Sequence, residues 1–71
     1  MKYTVIYEKG DRTWGAYVPD LPGVIAAGES REQVESLIRE AVELHIDGLR
    51  AEGLAVPPPA SWAGTVDIAA A

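Results

Sequence analysis

The side chains best equipped for chemistry are grouped in one short stretch: Glu40, Glu43, His45 and Asp47. Paired carboxylates can act as general acid and base, or hold a hard cation. An imidazole titrates near neutrality, which suits a general base or a pH switch. Several features weaken the catalytic reading. No Ser, Asp or Glu stands at a recognisable spacing from His45, which is the only histidine. There is no cysteine, so thiolate metal sites are excluded and a transition metal is poorly supplied. On a helix, Glu43 and Asp47 are neighbours four residues apart, and Arg39 and Arg50 are close enough to soften their repulsion. The cluster therefore reads as a solvated acidic face, or as an acidic landing surface for a basic partner. His45 falls in an apolar arc and reads as a packed histidine or one at a subunit contact. No catalytic residue, metal or cofactor is expected. The glycines fit neither the G-x-x-x-x-G-K-[ST] nor the G-x-G-x-x-G phosphate loop.

Trp14, Tyr17 and Trp62 are the residues that could stack on bases. A formal charge of −5, from 11 acids against 6 bases, argues against that use. Nucleic-acid binders need a basic footprint first, so direct DNA binding is not expected. The charge suits a cationic partner, or it simply keeps the chain soluble. Asp20 lies between Pro19 and Pro22, in a loop held to one shape at low entropic cost. Such a loop either presents a recognition surface or merely reverses the chain.

The elements that position these residues follow from periodicity. Lys2–Glu8 alternates and predicts a first strand, and Lys9–Arg12 a hairpin turn. Thr13–Val18 predicts a second strand, with Trp14, Ala16 and Val18 on one face. The strand is stopped by Pro19, which lacks a ladder donor, and by the turn formers Asp20, Pro22 and Gly23. Val24–Ala27 predicts a third strand. Ser30 is a good N-cap, and Gln33 completes a capping box. The helix is expected to run to about Glu52, with Gly53 as its left-handed C′ residue. Val34, Leu37, Ile38, Ala41, Val42, Leu44, His45, Ile46 and Leu49 form its apolar arc. Val56–Pro59 predicts a polyproline II connector. Trp62, Val66 and Ile68 alternate with Thr65 and Asp67 and predict a fourth strand. Ala69–Ala71 predicts a frayed end.

The order is thus β-β-β-α-β in a single domain, 1–71. One helix covers one face of such a sheet, while Ile6 and Tyr17 leave apolar groups on the other. An uncovered apolar face commonly marks an interface. A chain this short buries only about 60% of its unfolded surface, and disulfides and metals are not at hand to compensate. A homo-oligomer, dimer or tetramer, is therefore expected. No signal peptide or bilayer-spanning run is evident. The lack of cysteine suits a reducing cytoplasm. The sequence has no Asn and one Gln, a depletion of labile amides that points toward a thermophile.

One family resemblance emerges from the motifs Ala16-x-Val18-Pro-Asp-Leu-Pro-Gly23, Gly28-x-Ser30, Glu40-Ala41, and Gly53 with the prolines after it. This order of parts resembles the HicB-like antitoxins. The resemblance implies a partial ribonuclease-H-type fold: an α+β, two-layer antiparallel meander with one long helix on one face and a fourth strand beside the first. It implies a non-enzymatic domain that covers the active site of a small, basic, mRNA-cleaving toxin of HicA type. Carried onto this chain, the contacts would come from Trp14, Tyr17, Asp20 and Leu21, with the acidic face of Glu40, Glu43 and Asp47 as the second candidate. Many family members also carry a C-terminal DNA-binding domain. None is evident here, so operator binding is not expected. Val24 stands where the family often has Cys. The alternatives are a solitary structural or ligand-binding oligomer without a toxin, and a hydrolase built on His45.

Overall fold

Each strand is shorter or shifted relative to its alternating pattern, and the turns explain why. The structure, a computed structural model, describes residues 1–70. Its elements are β1 (Ile6–Lys9), β2 (Trp14–Tyr17), β3 (Ile25–Gly28) and α1 (Arg31–Ala51). The strands form an antiparallel meander in the order β1-β2-β3, with Ile6 opposite Tyr17 and Tyr17 opposite Ile25. The first strand does not extend back to Lys2. In an antiparallel pair only alternate residues face a given neighbour. The next β2 residue to face β1 after Tyr17 is Pro19, which has no N–H to offer.

Two proline-led turns replace the ladder beyond Tyr17. The Leu21 N–H donates to the Val18 carbonyl and the Val24 N–H to the Leu21 carbonyl, both at 3.1 Å. The second turn has Pro22 and then Gly23 at its centre, and Gly23 has φ 86°. That is type II geometry, which requires a residue tolerant of positive φ at the third position. The Val18 N–H closes the base of the loop on the Val24 carbonyl at 3.3 Å. Val24 is consumed by this closure, so β3 begins at Ile25.

The helix starts and stops where its caps dictate. The Ser30 side chain accepts from the Gln33 N–H at 3.1 Å, while Gln33 Oε1 accepts from the Glu29 N–H at 2.8 Å. The capping box is thus closed one residue upstream of its usual target. At the other end, the Gly53 N–H donates to Arg50 and the Leu54 N–H to Leu49. These are the two bonds of a Schellman cap, and Gly53 takes its expected left-handed conformation. Between the caps, 21 residues span about 31 Å.

The core is small: Ala16, Val18, Leu21, Val24, Val34 and Ile38. Tyr7, Trp14 and Ala26 pack against it from the helix-facing side of the sheet, and Ala41 and Val42 from the helix. The opposite face carries the row Ile6–Tyr17–Ile25, with no element over it among the described residues. The expectation of a one-sided helix layer therefore holds. The apolar arc of the helix is narrower than expected, because a three-stranded sheet offers a narrow seat. Leu44 lies about 80° around the wheel from Val34 and falls outside the seat, in solvent.

The predicted fourth strand is absent among the described residues. The connector before it, whose Pro57, Pro58 and Pro59 lack ladder N–H groups, is held by side chains instead. The Tyr3 hydroxyl donates to the Pro57 carbonyl, and Thr4 Oγ1 donates to the Ser61 carbonyl at 2.6 Å. Beyond Ser61 the chain continues without regular structure, and Trp62, Val66 and Ile68 are exposed. Of the expected frayed end, Ala71 lies outside the described residues.

Candidate functional site

A stripe on α1 gathers the predicted acidic residues. Glu40, Glu43, Leu44 and Asp47 stand at the i, i+3, i+4, i+7 spacing of one helix face. Together they line a shallow depression of about 330 Å³. Leu44 is 73% exposed, and the three carboxylates are also in solvent. Arg39 Nε approaches Glu43 Oε1 at 3.3 Å with both side chains mostly exposed. A pair in that setting is worth at most about 1 kcal/mol, so Glu43 remains open to a better cation. An exposed apolar side chain among carboxylates is poor acid–base machinery. It is a good seat for a basic surface with an apolar anchor point. His45 is half-buried beside this stripe. Among the described residues no three His, Asp or Glu side chains are grouped as a metal site.

The loop residues have different fates. Leu21 is fully buried at 0% exposure. It anchors the Val18–Val24 loop from inside and presents no contact surface. Trp14 packs half-buried against the core, with the Lys9 ammonium 5.9 Å from its ring centroid. Tyr17 is on the opposite face and exposed. The structure therefore does not bring Trp14, Tyr17, Asp20 and Leu21 together on one surface. Alternation separates Trp14 from Tyr17, and turn closure drives Leu21 inward.

Asp20 has a role that its sequence neighbourhood does not reveal. Its Oδ2 accepts from the Ala60 N–H at 2.8 Å and the Ser61 N–H at 3.0 Å, and its Oδ1 from the Ser61 hydroxyl at 2.8 Å. One carboxylate thus clamps a segment some forty residues downstream. The only local hint is a rigid Pro-Asp-x-Pro loop, which says nothing of Ala60. The Ala60 N–H is the main cause holding the Asp20 carboxyl below its ordinary value of 3.8; the Ser61 hydroxyl and N–H add to this, and desolvation opposes them. The bonded form is the ionised one. The clamp is accordingly intact above the ordinary carboxylate range and is lost as pH falls through the lowered folded value. Asp20→Ala should speed amide hydrogen exchange at Ala60 and Ser61 on the order of tenfold while leaving α1 amides unchanged. Unchanged exchange at both positions would show that the clamp does not hold in solution.

With this geometry in place, comparison with known proteins is decisive. Residues 3–69 match the family described as HicB-like antitoxin of bacterial toxin–antitoxin system. The chain belongs to the HicB-like antitoxin family. A UPF0150 protein from Helicobacter pylori is 36% identical over 55 residues, covering 78% of this chain and 76% of its own. A solved HicA3 and HicB3 toxin–antitoxin complex contains a chain that matches with a TM-score of 0.69 and 30% identity. That match covers 83% of this HicB-like chain and 70% of the other. The expected resemblance is thus upheld.

Proposed function

We propose that this HicB-like chain is the antitoxin half of a pair, and that it neutralises a small, basic, mRNA-cleaving toxin of HicA type by occluding its active site. The observation that carries the reading is the stripe of Glu40, Glu43 and Asp47 around exposed Leu44. A ribonuclease holds RNA with cationic groups, and a protein of net charge −5 competes for those same groups. Steering by opposite charge speeds the encounter, and a desolvated apolar anchor slows release. Membership of an antitoxin family and likeness to a chain in a HicA3–HicB3 complex supply the context.

Occlusion requires no bond-making by the antitoxin, so the proposed role is non-enzymatic. The same negative charge argues against direct DNA binding. Because the toxin's target is mRNA, the encounter is taken to be cytoplasmic. A six-residue buried core and the uncovered Ile6–Tyr17–Ile25 row support self-association as a dimer or tetramer. The test is a ribonuclease assay with a purified HicA-type toxin encoded beside this chain. Equimolar addition should stop RNA cleavage. Cleavage that continues at saturating antitoxin would overturn the reading.

A further inference from the structure

Two parts of this chain are incomplete in complementary ways. The first is the β1 edge. β1 is an outer strand of the sheet, so its far side carries unpaired backbone groups, a template for another strand. Because α1 packs mainly over β2 and β3, the helix side of β1 is left as an open groove of about 520 Å³. Tyr7 from β1 and Val5 just before it, and Ile38 and Val42 from the helix, line it together with the charged Glu35, Arg39 and Glu43 of the helix. The second part is the segment Trp62–Ile68. No backbone hydrogen bond is made by residues 62–70 among the described residues. Trp62, Val66 and Ile68 are 85%, 80% and 76% exposed. They occupy alternate positions with Gly64, so an extended backbone places all three on one side. Thr65 and Asp67 fall on the other.

The four-residue edge Ile6–Lys9 is about 13 Å long, and the seven-residue arm Trp62–Ile68, about 23 Å when extended, is long enough to span it. The arm does not close its own gap. Three hydrogen bonds from Asp20 hold its root at Ala60 and Ser61, and beyond that root its side chains stay in solvent. The radius of gyration records this. It is 14.4 Å, against about 11 Å for a compact domain of this length.

We propose that residues 62–68 form a fourth strand in a second copy of the chain, pairing with its β1 edge and inserting Trp62, Val66 and Ile68 into its groove. In a twofold dimer the exchange is reciprocal: each arm fills the partner's groove, and neither edge remains open. This gives the homo-oligomer proposed above a specific contact, on the helix side of the sheet and not on the Ile6–Tyr17–Ile25 row, and its groove shares Glu43 with the acidic stripe. The Asp20 clamp then has a purpose, since it fixes the point from which the arm departs.

The experiment uses the full-length Trp14→Phe variant, in which Trp62 is the sole tryptophan. Light scattering and tryptophan emission are followed together over protein concentration. The expected result is a doubling of mass from 7.6 kDa with a blue shift of Trp62 emission over the same range. A second variant, Val66→Asp with Ile68→Asp, should weaken self-association by at least about 100-fold, since each buried side chain is worth roughly tenfold or more. Its far-UV circular dichroism should stay unchanged. A chain that remains monomeric overturns both the oligomer and the arm exchange. A dimer in which Trp62 keeps its water-exposed emission overturns the exchange alone. A blue shift that appears only when a HicA-type toxin is added assigns the arm to the toxin and overturns the second copy as its occupant.

Discussion

Leu21→Ala should lower the melting temperature by about 10 °C or more, although Leu21 lies in a loop and not in a regular element. The side chain is fully buried. It sits between two turns whose hydrogen bonds run to its own N–H and carbonyl. Truncation removes apolar contacts from a site whose walls cannot collapse, because Pro19, Pro22 and the Val18–Val24 closure hold them apart. Buried leucine-to-alanine changes cost about 2–5 kcal/mol, the larger values where the cavity stays open. A domain of this size has a total stability of roughly 4–11 kcal/mol. Each kcal/mol corresponds to about 4–8 °C at this length. Leu44→Ala provides the contrast. It removes the same atoms from a side chain that is 73% exposed, so it should change stability by no more than about 0.5 kcal/mol. Thermal melts of both variants by circular dichroism decide the matter. A Leu21→Ala melt within a few degrees of wild type would mean that the loop is not part of the cooperative core.

These two leucines also show where the sequence was readable. The features set by neighbouring residues could be read directly: the Ser30 and Gln33 cap, the Gly53 stop, the meander order and the helix-facing set Trp14, Ala16 and Val18. Each depends on contacts within a few positions, where residue type constrains geometry. Leu21 and Leu44 depend on what lies across the fold. The Pro-Asp-Leu-Pro motif announces a rigid turn but not which way its leucine points. The helical wheel places Leu44 at the margin of the apolar arc. Only the width of the sheet beneath decides whether a marginal position is covered.

The fourth strand failed for a related reason. The alternation of Trp62, Val66 and Ile68 is real, but pairing within one chain needs the segment to lie along an edge as well as a pattern. The chain spends residues 57–61 beside Tyr3 and Thr4, ahead of β1, held by hydroxyl-to-carbonyl bonds. The Asp20 clamp had no sequence signal beyond its rigid loop, since its partners are two backbone N–H groups and a serine hydroxyl far along the chain. The acidic candidates share one face, and the loop candidates do not. A helix carries residues at fixed angles, so Glu40, Glu43 and Asp47 share a face by geometry alone. No such rule unites Trp14, Tyr17, Asp20 and Leu21.

The largest functional effect is expected from reversing that shared face. Glu40→Lys, Glu43→Lys and Asp47→Lys each shift the charge by two units, which takes the chain from −5 to +1. If the stripe receives a basic toxin, the association rate at low salt should fall by about 100-fold. Inhibition of RNA cleavage should then require a correspondingly higher antitoxin concentration. The fold should survive, because all three side chains are exposed and the one ion pair lost is at the surface. A control separates the stripe from net charge. Reversing Glu8, Asp11 and Glu29, which lie at the hairpin and helix-entry end, produces the same +1 and leaves the stripe intact. Long-range attraction is screened over about 8 Å at physiological salt, so under those conditions only charges at the contact retain their effect. The stripe variant should therefore remain impaired at that salt, while the control recovers most of its binding. Equal impairment of the two at physiological salt would mean that the toxin senses overall charge rather than this face. Full inhibition by the stripe variant would place the contact elsewhere on the molecule.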